Sequence, residues 1–252
     1  MAIPISIQLY TVRDAIAKEG ARPVLKAIAD IGFPYIEGGS LYGMSNREFK
    51  QLIDGLGLKQ MGAHCGYLDK KNWAQIEDDA RTIGYKHLIT SVGKDEFTSP
   101  DKIRAAAEKV NAAVNHFAPK GFVVSIHNHW WEFDGPNKGD LLLELCPGAH
   151  LQLDIYWAKT GGANPAEVIG RYARRTKLLH IKDGPADGKN PQQPMTAAGA
   201  GTVDIASSVR AAEQAGVEYL SIELDSCATD MMTAVRESYD YLTRRGLAKG
   251  NR

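Results

Sequence analysis

Between residues 123 and 133 the chain reads VVSIHNHWWEF, an apolar run that ends in His127, Asn128, His129, two tryptophans and Glu132. Imidazoles and carboxylates bind divalent cations and move protons. A buried strand gains nothing from them, because each polar atom taken from water without a partner costs about 1–3 kcal/mol. Three later segments repeat the signature: LQLDIYW carries Gln152 and Asp154, LLHIKD carries His180 and Lys182, and LSIELD carries Ser221 and Glu223. Side chains at i and i+2 share one face of a strand, so His127, Asp154, His180 and Glu223 all point to the same side of four successive segments. Neighbouring strands lie ~4.8 Å apart, which lets the four converge on one centre. Two imidazoles and two carboxylates suit a single divalent cation, with Mn²⁺ the first expectation and Zn²⁺, Co²⁺, Fe²⁺ or Mg²⁺ the alternatives. Singly, each of these residues is as well explained as a hydrogen-bonded structural group; four in register are not.

The elements that must position them follow from the rest of the pattern. Eight β-rich segments, at 5–10, 35–38, 58–64, 87–91, 122–129, 150–157, 177–183 and 219–225, alternate with longer segments of helical spacing such as Val24, Ile28, Ile31 and Ile103, Ala106, Ala107, Val110, Val114. Glycines at 32, 57, 84 and 216 stand where helices should stop before the next strand. Eight β/α pairs on 252 residues predict one α/β domain over 1–252, a closed (β/α)8 TIM barrel. The first strand segment is followed by IQLYTVRD rather than a GxGxxG turn, and no Walker-type GxxxxGK[ST] occurs, which disfavours an open nucleotide-binding sheet. The active face of such a barrel is the C-terminal end of its strands. Polar residues collect there: Gln8 and Tyr10, Glu37, His64, His127 to His129, Asp154, His180 with Lys182 and Asp183, and Glu223 with Asp225. Gln8, Glu37, His64, His129, Trp131 and Glu132 are expected to meet the substrate, although a salt bridge or a cap would explain Glu37 and His64 equally well. Tyr10, Trp130, Trp131 and Trp157 either close the barrel top or stack on a ring.

Lysine plus arginine balance aspartate plus glutamate at 30 each, so no global field favours nucleic acid or an anionic membrane. No apolar run approaches the ~18 residues of a membrane span, and the first residues enter a strand pattern at once, so a cytoplasmic protein without signal peptide is expected. Cys65, Cys146 and Cys227 form no CxxC pair and predict neither disulfide nor thiolate site. Homo-oligomerisation is left as the general default. The long Gly- and Pro-rich segment 183–201 reads as a lid, a docking surface or a floppy insertion.

Taken in order, QLYTVRD, HNHWWEF, LDIYWA, HIKD, GAGTVDI and IELD resemble the sugar phosphate isomerase/epimerase superfamily, the xylose isomerase-like TIM barrels, across essentially the whole chain. The resemblance implies a divalent metal held by Glu, Asp, His and Glu from strands five to eight, bound to adjacent oxygens of a sugar. Asp154, His180 and Glu223 match the last three. His127 stands where many relatives carry glutamate, as in a subgroup resembling inosose dehydratase, and this departure sets aside a symmetrical mechanism with two carboxylates. The chemistry expected is metal-assisted enolisation of a small keto- or aldo-sugar, with Glu223 or His127 as base and Lys182 and Glu132 holding oxygens. Reprotonation would give isomerisation or epimerisation. Loss of a β-substituent would make the protein a dehydratase or lyase acting on a keto-sugar or 3-keto-glycoside. A metal-dependent hydrolase of the endonuclease IV type and a non-catalytic sugar-binding or partner subunit are the competing readings; the zero net charge supports the former poorly.

Overall fold

The eight strand segments form one ring. The computed structural model describes residues 2–135, 138–187 and 193–252. Strands β1 (Ile3–Gln8), β2 (Tyr35–Gly38), β3 (Lys59–His64), β4 (His87–Ser91), β5 (Val123–His127), β6 (His150–Asp154), β7 (Thr176–Ile181) and β8 (Tyr219–Ile222) pair in chain order, and β1 pairs with both β8 and β2. All these pairings are parallel, so the sheet is a closed (β/α) barrel. A short strand that the periodicity does not predict, β9 (Ala248–Lys249), runs beside the start of β1.

Ten helices accompany the strands among the described residues: α1 (Arg13–Glu19), α2 (Ala21–Ile31), α3 (Asn46–Gly55), α4 (Trp73–Ile83), α5 (Pro100–Phe117), α6 (Lys138–Leu145), α7 (Ile155–Thr160), α8 (Pro165–Arg171), α9 (Ile205–Ala215) and α10 (Met231–Arg244). Their apolar stripes are the expected ones. Val24, Ile28 and Ile31 are buried on α2, and Ile103, Ala106, Ala107, Val110 and Val114 on α5. They pack against the outward residues of the strands, such as Ile5, Ile7, Leu151, Leu153, Leu179 and Ile181, in one continuous core. Burying a Val, Leu or Ile side chain contributes ~1.5–3 kcal/mol, so this layer supplies most of the drive to close the ring. Gly84 and Gly216 end α4 and α9 with φ of 94° and 75°, a left-handed backbone that costs glycine nothing.

Inside the ring the composition changes with height. Met61, Ile89 and Leu178, with Tyr35 and Tyr219, make a small apolar layer toward the start of the strands. Toward the strand ends the inward positions are polar, and that is where several strands stop earlier than their hydrophobicity predicts. The segments expected to reach 129, 157, 183 and 225 end at His127, Asp154, Ile181 and Ile222. The physical reason is visible at two of the ends. The Asp154 carboxylate accepts the Trp157 N–H at 2.9 Å and caps α7, and the Gln8 carbonyl Oε1 accepts the Tyr10 N–H at 3.2 Å to start a 3-10 turn over Leu9–Val12. A side chain that satisfies the next backbone donors turns the chain out of the ladder.

The segment after β7 is tied down at its described residues. Asp183 is buried, and its carboxylate accepts four backbone N–H groups: Gly184 at 2.8 Å, Val203 at 3.0 Å, Gly199 at 2.9 Å and Gly201 at 3.0 Å. A Cβ at Gly201 would collide with that carboxylate, which is why glycine stands there. The Ala198 N–H reaches Ser238 Oγ at 2.9 Å, and Met195 O accepts from Ala228 at 3.1 Å. The floppy-insertion reading therefore does not describe 193–201; residues 188–192 of the expected loop lie outside the described residues. Among the described residues, no helix is long and apolar enough to cross a membrane.

Asp183→Ala leaves four backbone donors without their acceptor. Loss of this charged hydrogen-bonding group is expected to cost on the order of 3 kcal/mol in a denaturant titration, with faster proteolysis between 184 and 203. An unchanged midpoint would show that the segment is held by other contacts.

Candidate metal centre and active site

The strand ends bring His127, Asp154, His180 and Glu223 together. Each offers one donor atom, all four atoms lie within 4.8 Å of one another, and all four residues are buried. Register explains the meeting: Asp154 pairs with His180 between β6 and β7, and His180 with Ser221 between β7 and β8, which sets Glu223 one step above. His64 joins His127 and His180 as a second group within the same reach.

A hydrogen-bond chain beneath the cluster fixes how the imidazoles point. Glu37 is fully buried and receives Gln8 Nε2 at 2.8 Å, Gln152 Nε2 at 2.9 Å and His180 Nε2 at 2.9 and 3.1 Å, with His64 Nε2 at 2.9 Å from the same carboxylate. A carboxylate only accepts, so Gln152 must present its NH₂ to Glu37 and its oxygen the other way. That oxygen lies 3.1 Å from His127 Nδ1 and 3.0 Å from His64 Nε2. Both nitrogens must then carry hydrogen, which leaves His127 Nε2 with its lone pair. By the same logic His180 donates through Nε2 to Glu37 and turns Nδ1 toward Glu223 Oε2, 2.7 Å away. Asn128 fixes the neighbouring ligand from the side: its oxygen accepts the Asp154 N–H at 2.9 Å and its NH₂ donates to the Asp154 carbonyl at 3.2 Å.

Lys182 follows the last strand residue of β7, and its ammonium is buried among carboxylates, 2.8 Å from Glu223 Oε2, 2.9 Å from Asp225 Oδ2 and 3.1 Å from Asp154 Oδ2. Burial opposes that charge, but the three carboxylates outweigh it and hold the ammonium well above the ordinary lysine range. Burial lifts the Asp154 carboxyl to about 6, against the pull of Lys182 and His180, so it remains ionised at neutral pH and the pair stays an ion pair. Burial would also raise Glu223, yet Lys182 and His180 together hold it well below the usual carboxylate range. Burial, reinforced by His180 and His64, drops His127 well below the usual imidazole range, so it is neutral and free to act as a ligand. His180 goes the other way: burial opposes its charge, and Glu37 and Glu223 raise it to about 10.

These residues fit a divalent cation. Asp154 Oδ2, His180 Nδ1 and Glu223 Oε2 are buried and make no hydrogen bond of good geometry, although they lie within ion-pair distance of one another or of Lys182. The carboxylate oxygens of Asp154 and Glu223 and the Nε2 lone pair of His127 converge, and His180 Nδ1 would join them on giving up the proton it shares with Glu223, since ligands must be deprotonated to hold a cation. Two imidazoles and two carboxylates are within the repertoire of first-row metals.

A cavity of about 920 Å³ opens above the cluster, lined among others by Gln8, His64, His127, His129, Trp157, Lys182 and Glu223. Not every residue expected at the substrate reaches it. Glu37 is sealed beneath the cluster. Trp131 stacks on the His129 ring at 4.2 Å and 8°, backing the wall, and donates its indole N–H to Val92 O at 3.3 Å. Glu132 turns back to accept the His129 N–H at 3.0 Å and is buried away from the cavity; burial raises its carboxyl well above the ordinary range. All three support side chains that do face the cavity: Glu37 from within β2, where its inward carboxylate is covered by its donors, and Trp131 and Glu132 from beyond the end of β5, where alternation no longer applies. Gln152 also belongs to the site, and the signal for it in the sequence is its place two residues before Asp154 on the same face. Tyr42, Ser40 and Ser226 also line the cavity, from loops in which the sequence offers no periodic signal.

The family model for xylose isomerase-like TIM barrels matches residues 25–245. The chain belongs to that family. No curated protein matches its sequence. Among solved structures, a sugar phosphate isomerase/epimerase from Parabacteroides distasonis superposes on this xylose isomerase-like barrel with a TM-score of 0.82 at 20% identity, covering 99% of this chain and 96% of that one. A probable 3-DHS dehydratase from Bacillus anthracis gives 0.78 at 16%, covering 96% and 100%. A D-allulose 3-epimerase from Methylomonas sp., in complex with D-allulose, gives 0.72 at 16%, covering 97% and 99%. At such identities the likeness is one of fold.

In the metal-free protein His180 has a folded-state pKa near 10 against an ordinary 6.5, so its contribution is fully present below pH 6.5 and lost as pH rises through about 10. Unfolding free energy should fall by up to about 1.4 kcal/mol per pH unit in that window on account of this group. Glu37→Gln is expected to flatten that slope and to lower stability by about 3–5 kcal/mol at pH 7, since it removes one of the two carboxylates that hold the buried His180 charge. Denaturant titrations at pH 6, 8 and 10 with chelator present check both; equal slopes would show that the Glu37 charge does not hold the His180 proton.

Proposed function

We propose that this xylose isomerase-like barrel is a divalent-metal-dependent enzyme that enolises a small keto- or aldo-sugar, and so isomerises or epimerises it. The observation that carries the reading is the convergence of one buried donor atom each from His127, Asp154, His180 and Glu223, all within 4.8 Å of one another, at the floor of an open cavity, beside a buried ammonium. The cation would supply Lewis-acid stabilisation of the oxyanion that develops on enolisation. The chain's own groups do the rest. Glu223 lines the cavity with its Oε2 engaged by His180 and Lys182, and its Oε1 is the oxygen assigned to accept a proton from the carbon beside the carbonyl. Lys182, held charged, donates hydrogen bonds to a substrate oxygen. His129, whose pKa burial lowers to about 4, is neutral and faces the same cavity as an acceptor for a hydroxyl. Gln152 keeps His127 Nε2 unprotonated, and Trp157 with the stacked His129–Trp131 pair walls the space against water.

A second reading, β-elimination from the same enolised substrate, is favoured by one observation. His127 stands where a carboxylate would be needed for matched acid and base groups on opposite faces, while on the Glu223 side a departing oxygen can take back the proton that Glu223 has accepted, with the Lys182 ammonium hydrogen-bonding to it. One fold relative is a probable dehydratase and another acts on D-allulose, so both outcomes have precedent on this barrel.

The experiment is elemental analysis of purified protein beside Asp154→Ala and His180→Ala, followed by exchange on a keto-sugar panel in heavy water. About one Mn, Zn, Co, Fe or Mg per chain, lost in both variants while the circular dichroism is kept, is expected, with deuterium entering beside the carbonyl of the substrate sugar. Absence of bound metal, and no thermal stabilisation on adding any, would sink the mechanism.

A further inference from the structure

The cavity is larger than its chemistry needs. At about 920 Å³ it lies at the upper end of the ~300–1,000 Å³ typical of small-molecule sites, and it extends from the β5–β8 cluster across to loops beyond β1 and β2. On that far side stands Tyr10, which at 52% exposure is the one large hydrophobic side chain left open to solvent among the described residues. Its ring does not float. The Arg13 guanidinium lies 4.0 Å from the ring centroid, and that guanidinium is itself fixed by two bonds of 2.8 Å, from Nη1 to Tyr10 O and from Nη2 to Asp225 O. Asp225 also holds Lys182 through its carboxylate at 2.9 Å. One residue thus registers the Tyr10 platform against the cluster.

Tyr42 supplies the second wall. It lies in the loop after β2, lines the same cavity, and has φ of 52°, a left-handed backbone that a bulky residue adopts only at a cost of about 1–3 kcal/mol. Such strain persists where the surroundings demand the position. The same cavity is lined by Ser40, Ser226 and Gln193, uncharged groups with donors and acceptors. Arg13 donates one N–H of each Nη to a backbone carbonyl and sets its guanidinium over the Tyr10 ring, so its part in the rim is to hold that ring, and the ring and the uncharged groups favour a neutral polar ligand with an apolar face.

Resting on the sugar-enolising reading above, we propose that Tyr10 and Tyr42 form a second ring subsite, so that the substrate is a glycosidically linked keto-sugar of two rings rather than a free monosaccharide. The reacting ring lies at the cluster and the second ring lies on Tyr10, with its hydroxyls toward Ser40, Ser226 and Gln193.

Calorimetric titration of the metal-loaded protein with D-fructose, lactulose, turanose and fructose 6-phosphate tests it, beside the variants Tyr10→Ala, Tyr42→Ala and Arg13→Met. At least one disaccharide is expected to bind 10-fold or more tightly than fructose, with that ratio falling to within twofold of one in Tyr10→Ala and dropping in Tyr42→Ala. Fructose binding as tightly as both disaccharides overturns the proposal, as does a ratio unmoved by Tyr10→Ala. Tighter binding of fructose 6-phosphate, lost in Arg13→Met, overturns it in favour of an anion site. No binding of any probe at ~50 mM also overturns it, and the metal content of the ligand variants then still decides the enolisation reading separately.

Discussion

A carboxylate without access to water lies at the centre of this barrel, and the rest of the site is arranged around it. Glu37 costs too much to bury alone, so four side chains from β1, β3, β6 and β7 give it hydrogens. Satisfying the charge has a directional consequence: the donors must turn their other atoms upward. Gln152 presents an oxygen to His127 and His64, and His180 presents Nδ1 to the cluster. The tautomers and ring orientations of three histidines therefore follow from a single charge that no substrate can reach.

The site above obeys a complementary rule. Around Glu37 each of the four donors finds its acceptor; above it, three buried atoms of Asp154, His180 and Glu223 make no hydrogen bond of good geometry. A protein that satisfies Glu37 four times over and leaves these atoms unmatched a few ångströms away has placed the imbalance where a cation and substrate oxygens belong. Lys182 keeps the carboxylates ionised, and the supports Asn128, Glu132 and Trp131 hold the backbone and rings of the strand-five side in place.

Much of this was written in the sequence because it is periodic. The eight strands, the stripes of α2 and α5, the glycine stops and the four converging donors all follow from alternation by two or by 3.6 residues, which barrel geometry converts directly into position. The pattern failed where the chain leaves regular structure. Trp131 and Glu132 follow His127 by four and five residues, beyond the end of β5, so no rule of faces tells which way they turn. Strand ends were overrun because hydrophobicity continues into α7: Ile155, Tyr156 and Trp157 are buried as helix, and only the capping carboxylate of Asp154 marks the change. Glu37 looked like a substrate contact or a structural pair with equal justice, since its partners come from 29, 115 and 143 residues away. Tyr42 owes its place to a backbone conformation that residue identity does not announce.

The Glu37 network also bears on how the chain reaches this state. Its donors come from β1, β3, β6 and β7, and Gln152 and His180 reach Glu37 across the interior from strands that are far from β2 along the sheet. An open sheet would leave that carboxylate in water, where it has no need of four partners. The apolar layer between strands and helices can assemble piecewise from neighbours in sequence, but the polar interior is rewarded only when the last seam shuts. The future active site is thus the last part of the molecule to gain from folding, and a chain that misplaces one strand keeps its core and forfeits its centre.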